Sequence, residues 1–221
     1  MVAKLGDPPP KLPANPPTWQ WREQQPMIRV YHEDPHHDGL APRTFGPLAR
    51  FDPHVRDGHQ NPREDPQHRS ALYLAADLAT ALAESYPGQW PEVLICPNTR
   101  AAWMCPPKSI GLLDLSGDGA LAIGAPGTLQ WGNEPRRRTQ RWGRRIHEQY
   151  QDLDGIRYQA AHQGGECVVI WERAPALHRL PGGDRRLTAV WAHVIMALAG
   201  QGRKPRRIAA ANCERCHEVG L

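Results

Sequence analysis

Three segments carry residue types whose spacing could do chemistry. His32-Glu33-Asp34-Pro35-His36 fits the H-E-x-x-H pattern of zinc proteases. That chemistry needs both histidines on one helical face with the glutamate as base, and Pro35 would disrupt such a helix. The segment therefore reads as a polar loop. His36, His37, His54, His59 and His68 make the surrounding stretch rich in histidine, without a repeated ligand spacing. Cys213-Glu214-Arg215-Cys216-His217 matches C-x-x-C-H, the c-type haem attachment pattern. It could equally give up to three zinc ligands, where a structural site needs four. The favoured reading is a tail with two reactive thiols. Arg136-Arg137-Arg138, Arg141, Arg144 and Arg145, with Trp131 and Trp142 nearby, could be a nucleic-acid footprint or a partner-binding face. No Walker loop, Rossmann glycine fingerprint or G-x-S-x-G elbow is present.

The elements that must position these groups read as α/β. Met27–Tyr31 is a β-prone run, and Ala71–Ala75 reads as a buried strand. Asp77 follows as an N-cap, and Leu78, Ala81 and Leu82 recur at helical spacing up to Pro87-Gly88. Further strands are expected at Glu92–Cys96, Ala101–Cys105, Leu112–Leu115, Gly155–Gln159 and Cys167–Trp171, the last two joined by a turn at Gly164-Gly165. Arg137–Tyr150 reads as a basic helix. Leu187, Val190, Trp191, Val194, Ile195 and Leu198 mark one apolar helical face ending at Gly200. Residues 1–18 read as a flexible, Pro-rich, disordered or extended arm. Residues 32–69 read as a long loop region, partly ordered, and 201–221 as a basic, weakly structured tail.

The composition sets limits. With 221 residues and 40% apolar side chains, the chain suits one domain with a single core. The longest apolar run, Leu187–Ala199, is too short to cross a bilayer. No secretory leader follows the first Lys, and five cysteines at irregular positions do not make a disulfide framework, so a reducing cytoplasm is expected. The net charge of +4 conceals opposed halves. Residues 1–134 carry 11 basic and 15 acidic side chains, and residues 135–221 carry 16 and 8. Proline is lopsided too, with 13 of 23 in the first 67 residues, which argues against helices and central strands there.

The order of several segments is that of a known family. They are Arg29-Val30-Tyr31-His32, Gly46-Pro47-Leu48-Ala49-Arg50-Phe51-Asp52-Pro53, Leu72–Glu84, Thr139-Gln140-Arg141-Trp142, Asp154-Gly155-Ile156-Arg157-Tyr158 and Cys167–Arg173. Over roughly residues 27–180 the chain resembles RES-domain proteins, the toxins of RES–Xre toxin–antitoxin pairs. The resemblance implies one α/β (α+β) catalytic domain, about residues 19–200, with a mixed sheet similar to ADP-ribosyltransferases. It implies cleavage of the nicotinamide–ribose bond of NAD, with ADP-ribose passed to water, phosphate or a protein. NAD would then be a substrate, with no separate cofactor and no metal. The implied partner is an Xre-type antitoxin, through which alone nucleic acid would be reached, and no membrane is involved.

The resemblance also assigns residues. Arg29 and Glu84 match the family Arg and Glu, expected to be catalytic, and Arg50, Tyr73 and Tyr158 match further pocket positions. A carboxylate such as Glu84 can stabilise an oxocarbenium-like transition state. Arg29 and Arg50 can fork onto the diphosphate, and Tyr73 can stack on or hydrogen-bond the nicotinamide end. The family Ser is replaced by Ala160, which removes a hydrogen bond of about 1–3 kcal/mol and predicts weaker binding or slower turnover. Gln159 could substitute for it. A catalytically impaired RES-like binding domain, or a basic nucleic-acid-binding protein, is the alternative.

Overall fold

A computed structural model describes residues 4–36, 38–131 and 134–220. Its strands are β1 (Thr18–Trp21), β2 (Met27–His32), β3 (Phe45–Gly46), β4 (Arg63–Glu64), β5 (Ala71–Ala75), β6 (Glu92–Ile95) and β7 (Thr99–Cys105). They continue as β8 (Ile110–Asp114), β9 (Gly155–Gln159), β10 (Glu166–Trp171), β11 (His178–Arg186) and β12 (Lys204–Arg207). The helices are α1 (Leu78–Ser85), α2 (Gly119–Ala122), α3 (Thr128–Trp131), α4 (Arg136–Gln149), α5 (Trp191–Ala199) and α6 (Glu214–Glu218). Eight strands form one sheet in the order β1-β8-β9-β10-β5-β2-β7-β11. Only β8 and β9 run parallel in it, so the sheet is mixed.

Period-2 alternation splits the side chains between the two faces. Leu72 and Leu74 of β5, with Val168 and Ile170 of β10, join Trp21 and Met27 in one cluster. Ala71, Ala75, Cys167 and Val169 point the other way, into the larger core beneath the helices. Asp77 caps α1 as its spacing predicts, its carboxylate accepting from the Thr80 N–H at 2.8 Å. At the sheet centre β2 and β5 share a single bridged pair, Ile28 with Ala75. Beyond that pair the two strands part, and the gap between them becomes the floor of a cavity.

The described part of the N-terminal arm is extended, one of the two forms expected for it, and it docks along α4. Leu5 and Leu12 are fully buried. The arm's backbone groups are satisfied by side chains of the helix. Gln149 both accepts from the Leu12 N–H and donates to the Leu12 carbonyl, each at 2.7 Å. The Trp142 indole donates to the Gly6 carbonyl at 2.9 Å, and Arg138 to the Leu5 carbonyl at 2.9 Å. Arg141 pairs with Asp7 at 2.6 Å. Leu12→Ala is therefore expected to destabilise the protein by about 2–4 kcal/mol in denaturant melts. A flexible arm would leave the midpoint unchanged.

The described residues of the C-terminal tail carry regular structure, where a weakly structured tail was expected. β12 pairs in parallel with β6 from Lys204–Glu92 to Arg207–Ile95, and Cys216 of α6 is completely buried. The segment Lys-Pro-Arg-Arg has no β pattern of its own, and the exposed edge of β6 imposes the conformation. Leu187 and Val190 precede α5 rather than belonging to it. Among its described residues the 33–69 region holds only the two-residue strands β3 and β4, as its proline content foretold. His32 ends a strand and no helix follows, so the H-E-x-x-H segment is a loop. His37 lies outside the described residues. None of His36, His54, His59 and His68 joins a cluster of potential metal ligands among the described residues.

Behind β10, the His147 ring meets the Glu172 carboxylate at 2.7 Å, and the Ser70 N–H donates to it at 3.0 Å. Burial alone would raise the carboxyl, but these bonds hold it at about 2 instead of 4.5. A depressed folded value contributes stability above the unfolded value and loses it as pH falls. Acidification from about pH 4.5 to about pH 2 should thus cost the wild type more stability than Glu172→Gln. Equal slopes of melting temperature against pH would contradict this.

Candidate active site

A cavity of about 600 Å³ opens where β2, β5 and α1 meet the 159–167 turn and the 49–50 loop. Arg29, Arg50, Tyr73, Glu84 and Tyr158 all line it, so residues spread over 130 positions of sequence share one chamber. Helical spacing accounts for the α1 wall, because Ala81, Glu84 and Ser85 lie at i, i+3 and i+4.

Arg29 stands at the parting of β2 and β5. Its Nε donates to the Gly39 carbonyl at 2.5 Å, and its Nη1 to the Tyr73 carbonyl at 3.1 Å. Among the described residues it has no carboxylate within ion-pair distance, Glu84 included. Burial, and secondarily the charge of Arg43, lower the guanidinium pKa to about 10. A partly buried cation held away from water without a counter-ion is unfavourable. A bound anion would relieve it.

Arg50 is largely held by the fold. Its Nη2 donates to the Leu129 and Gln130 carbonyls at 3.0 and 2.9 Å, and its Nη1 to the Gln159 carbonyl at 3.3 Å. The guanidinium also stacks on Phe51 and Tyr158, 5.0 and 5.1 Å from the ring centres. Three of its five N–H donors are thus spent on the fold. Its buried Nε has no protein partner.

Of the two expected uses of Tyr73, stacking and hydrogen bonding, the fold leaves the first. Its hydroxyl donates to Asp52 Oδ1 at 2.7 Å and accepts from the Phe51 N–H at 3.2 Å. Burial and the Asp52 charge raise its pKa well above the usual phenol value. The hydroxyl is committed, so only the ring is left to face a ligand. Asp52 itself is fully buried and also accepts from Arg43 and from the Leu48 and Ala49 N–H groups, at 2.7, 2.6 and 2.9 Å. It is the knot of the loop that presents Arg50. Burial also raises the Tyr158 phenol and the adjacent Cys167 thiol, which keeps Cys167 protonated and a poor nucleophile.

Glu84 is half-buried at the end of α1. One carboxylate oxygen accepts from the His162 N–H at 3.1 Å, which ties the helix to the 159–167 turn. Ala160 is buried, and its backbone N–H closes that turn by donating to the Gly165 carbonyl at 2.7 Å. Gln159 does not reach the cavity wall. Ser85, His162, Glu134 and Arg136 do, and reasoning from the sequence missed all four. Arg136 was readable only as one of a basic run. In the fold that run divides, since Arg136 faces the cavity while Arg138 and Arg141 hold the arm. A continuous nucleic-acid face is not formed by these three residues.

No helix among the described residues is long and apolar enough to cross a membrane. No curated protein and no solved structure matches the chain. A family model described as RES domain matches residues 20–192, most of its length.

Proposed function

Because the chain belongs to the RES-domain family, which is linked to toxin–antitoxin systems and NAD-acting enzymes, we propose that it cleaves the nicotinamide–ribose bond of NAD. The observation that carries this reading is Arg29, partly buried and with no carboxylate in ion-pair reach among the described residues, in the chamber that also holds Glu84, which has no basic partner among them. Such a site suits a ligand with an anionic diphosphate at one end and a ribosyl cation developing at the other.

Arg29 holds the diphosphate, with Arg136 at the cavity rim and Arg50 as further cations. The ring of Tyr73 packs against the nicotinamide end. The bond from ribose C1 to the nicotinamide nitrogen breaks, and its electron pair leaves with nicotinamide as a neutral base. Glu84 stabilises the positive charge on the ribose. A nucleophile then bonds to C1. Water, in doing so, gives up one proton, for which the Glu84 carboxylate is the nearest base on α1. Ser85 replaces, from the α1 wall, the hydroxyl that Ala160 lacks. An Xre-type antitoxin is the proposed partner that restrains the activity.

Incubating the purified chain with NAD and separating the products tests this. Free nicotinamide is expected, together with ADP-ribose, its 1-phosphate or ADP-ribosylated protein according to the acceptor. Intact NAD after prolonged incubation with folded protein would leave an impaired binding domain as the better reading.

A further inference from the structure

The C-x-x-C pair of the tail does not stand alone. His32 at the end of β2 and Cys96 just after β6 meet Cys213 and Cys216, and the four ligand atoms lie within 4.8 Å of one another. This is the one such cluster among the described residues. His32 Nε2 is 3.3 Å from Cys96 Sγ, 3.3 Å from Cys216 Sγ and 3.8 Å from Cys213 Sγ, and the Cys96 and Cys216 sulfurs are 3.8 Å apart. A tetrahedral zinc ion, with bonds of about 2.3 Å to sulfur and 2.0–2.1 Å to nitrogen, requires S···S edges of about 3.8 Å and N···S edges of about 3.6 Å. We propose that His32, Cys96, Cys213 and Cys216 form a structural zinc site that clasps the C-terminal segment to the sheet.

The surroundings are those of a ligand set. His32 Nδ1 lies 2.7 Å from the Glu33 carbonyl, which can only accept, so the proton is on Nδ1. The Nε2 lone pair is thereby aimed at the sulfurs, the usual arrangement behind a ligating imidazole. Asn98 Nδ2 donates to Cys216 Sγ at 3.5 Å, and the Thr99 hydroxyl sits 3.4 Å from Cys96 Sγ. Backbone N–H groups of Arg215 and Cys216 face the Cys213 sulfur. Three sulfurs and one imidazole select zinc over hard cations, and four protein ligands leave no open position for catalysis. His217 is not a ligand, because its ring bonds the Ala211 carbonyl at 2.7 Å. The ion would join three parts of the chain: β2, which also carries Arg29, the end of β6, and α6. On binding, the three thiols release their protons to solvent, so affinity falls as pH falls. The proposal is independent of the NAD reading.

The test is metal analysis of the full-length chain purified without chelator. One zinc per chain is expected, and cobalt substituted for it should give the intense visible bands of tetrahedral thiolate coordination. Cys213→Ser with Cys216→Ser should lose the metal and become open to proteolysis within 201–220. His32→Cys, which keeps four ligands, should retain it, whereas a residue with a merely structural role would not show this rescue. Folded protein with far less than one zinc per chain would overturn the proposal. So would undiminished zinc in the double serine variant, or a thiol count after denaturation that reveals a disulfide among the four.

Discussion

Glu84→Gln is expected to lower the rate of nicotinamide release from NAD by about 10²–10³-fold, the loss that follows removal of one group aimed at charge that develops in the transition state. The substitution is nearly isosteric. It keeps an oxygen for the His162 N–H, which the carboxylate now binds at 3.1 Å. It removes only the negative charge beside the ribose. Melting temperature and NAD affinity should stay close to wild type, so the loss appears in kcat rather than KM. A variant that retains full turnover would show that Glu84 is only a fastening between α1 and the 159–167 turn. Parallel melts separate lost chemistry from lost folding.

Asp52→Asn is expected to cost about 3–5 kcal/mol of stability, the range for breaking a buried charge network. Asp52 Oδ2 accepts three hydrogen bonds, from Arg43 and two backbone N–H groups, and Oδ1 accepts one from Tyr73. An amide must turn its NH₂ toward at least one of those donors and leaves Arg43 without its counter-charge. The damage spreads toward the cavity, since the same loop presents Arg50 and packs closely on α4. A Cβ on Gly143 of α4 would stand only 2.7 Å from the Phe51 backbone. Denaturant melts give the stability, and a rise in KM for NAD would report the loosened loop. A loss of less than about 1 kcal/mol would contradict the assignment of Asp52 as the knot of this loop.

Much of the sheet was readable in advance, because β2, β5, β9 and β10 announce themselves by apolar runs with turn residues at their ends. The capped helix α1 was readable from Asp77 and the spacing of its alanines and leucines. β11 and β12 were not. The first contains Pro181-Gly182-Gly183 and bulges between Arg179 and Asp184, and the second is a basic tetrapeptide that becomes a strand only on the edge of β6. The docking of the extended arm was hidden for a related reason. Proline density rules out helix and central strand, but says nothing about docking, which here depends on Trp142 and Gln149 far along the chain.

Site residues followed the same division. Resemblance to a family located Arg29, Arg50, Tyr73, Glu84 and Tyr158, and the fold gathers all five around one cavity. Their hydrogen bonds could not be read from order alone. The Tyr73 hydroxyl is spent on Asp52, and most of Arg50 on backbone carbonyls. Ser85 was hidden beside Glu84, since an isolated serine carries no pattern. Cys213 and Cys216 showed half a metal site. The other half, His32 and Cys96, lies more than a hundred residues away, and only the tertiary fold brings it near.

The activity proposed for this chain is cleavage of the glycosidic bond of NAD in the chamber of Arg29 and Glu84. Proton NMR of NAD during incubation with the purified protein tests it most directly, because one spectrum reports both the nicotinamide ring and the anomeric ribose proton. Wild-type protein should convert the NAD signals into those of free nicotinamide and a new anomeric centre, while Glu84→Gln leaves them nearly unchanged over the same interval. An unaltered NAD spectrum with folded wild-type protein, or equal conversion by both proteins, would contradict it.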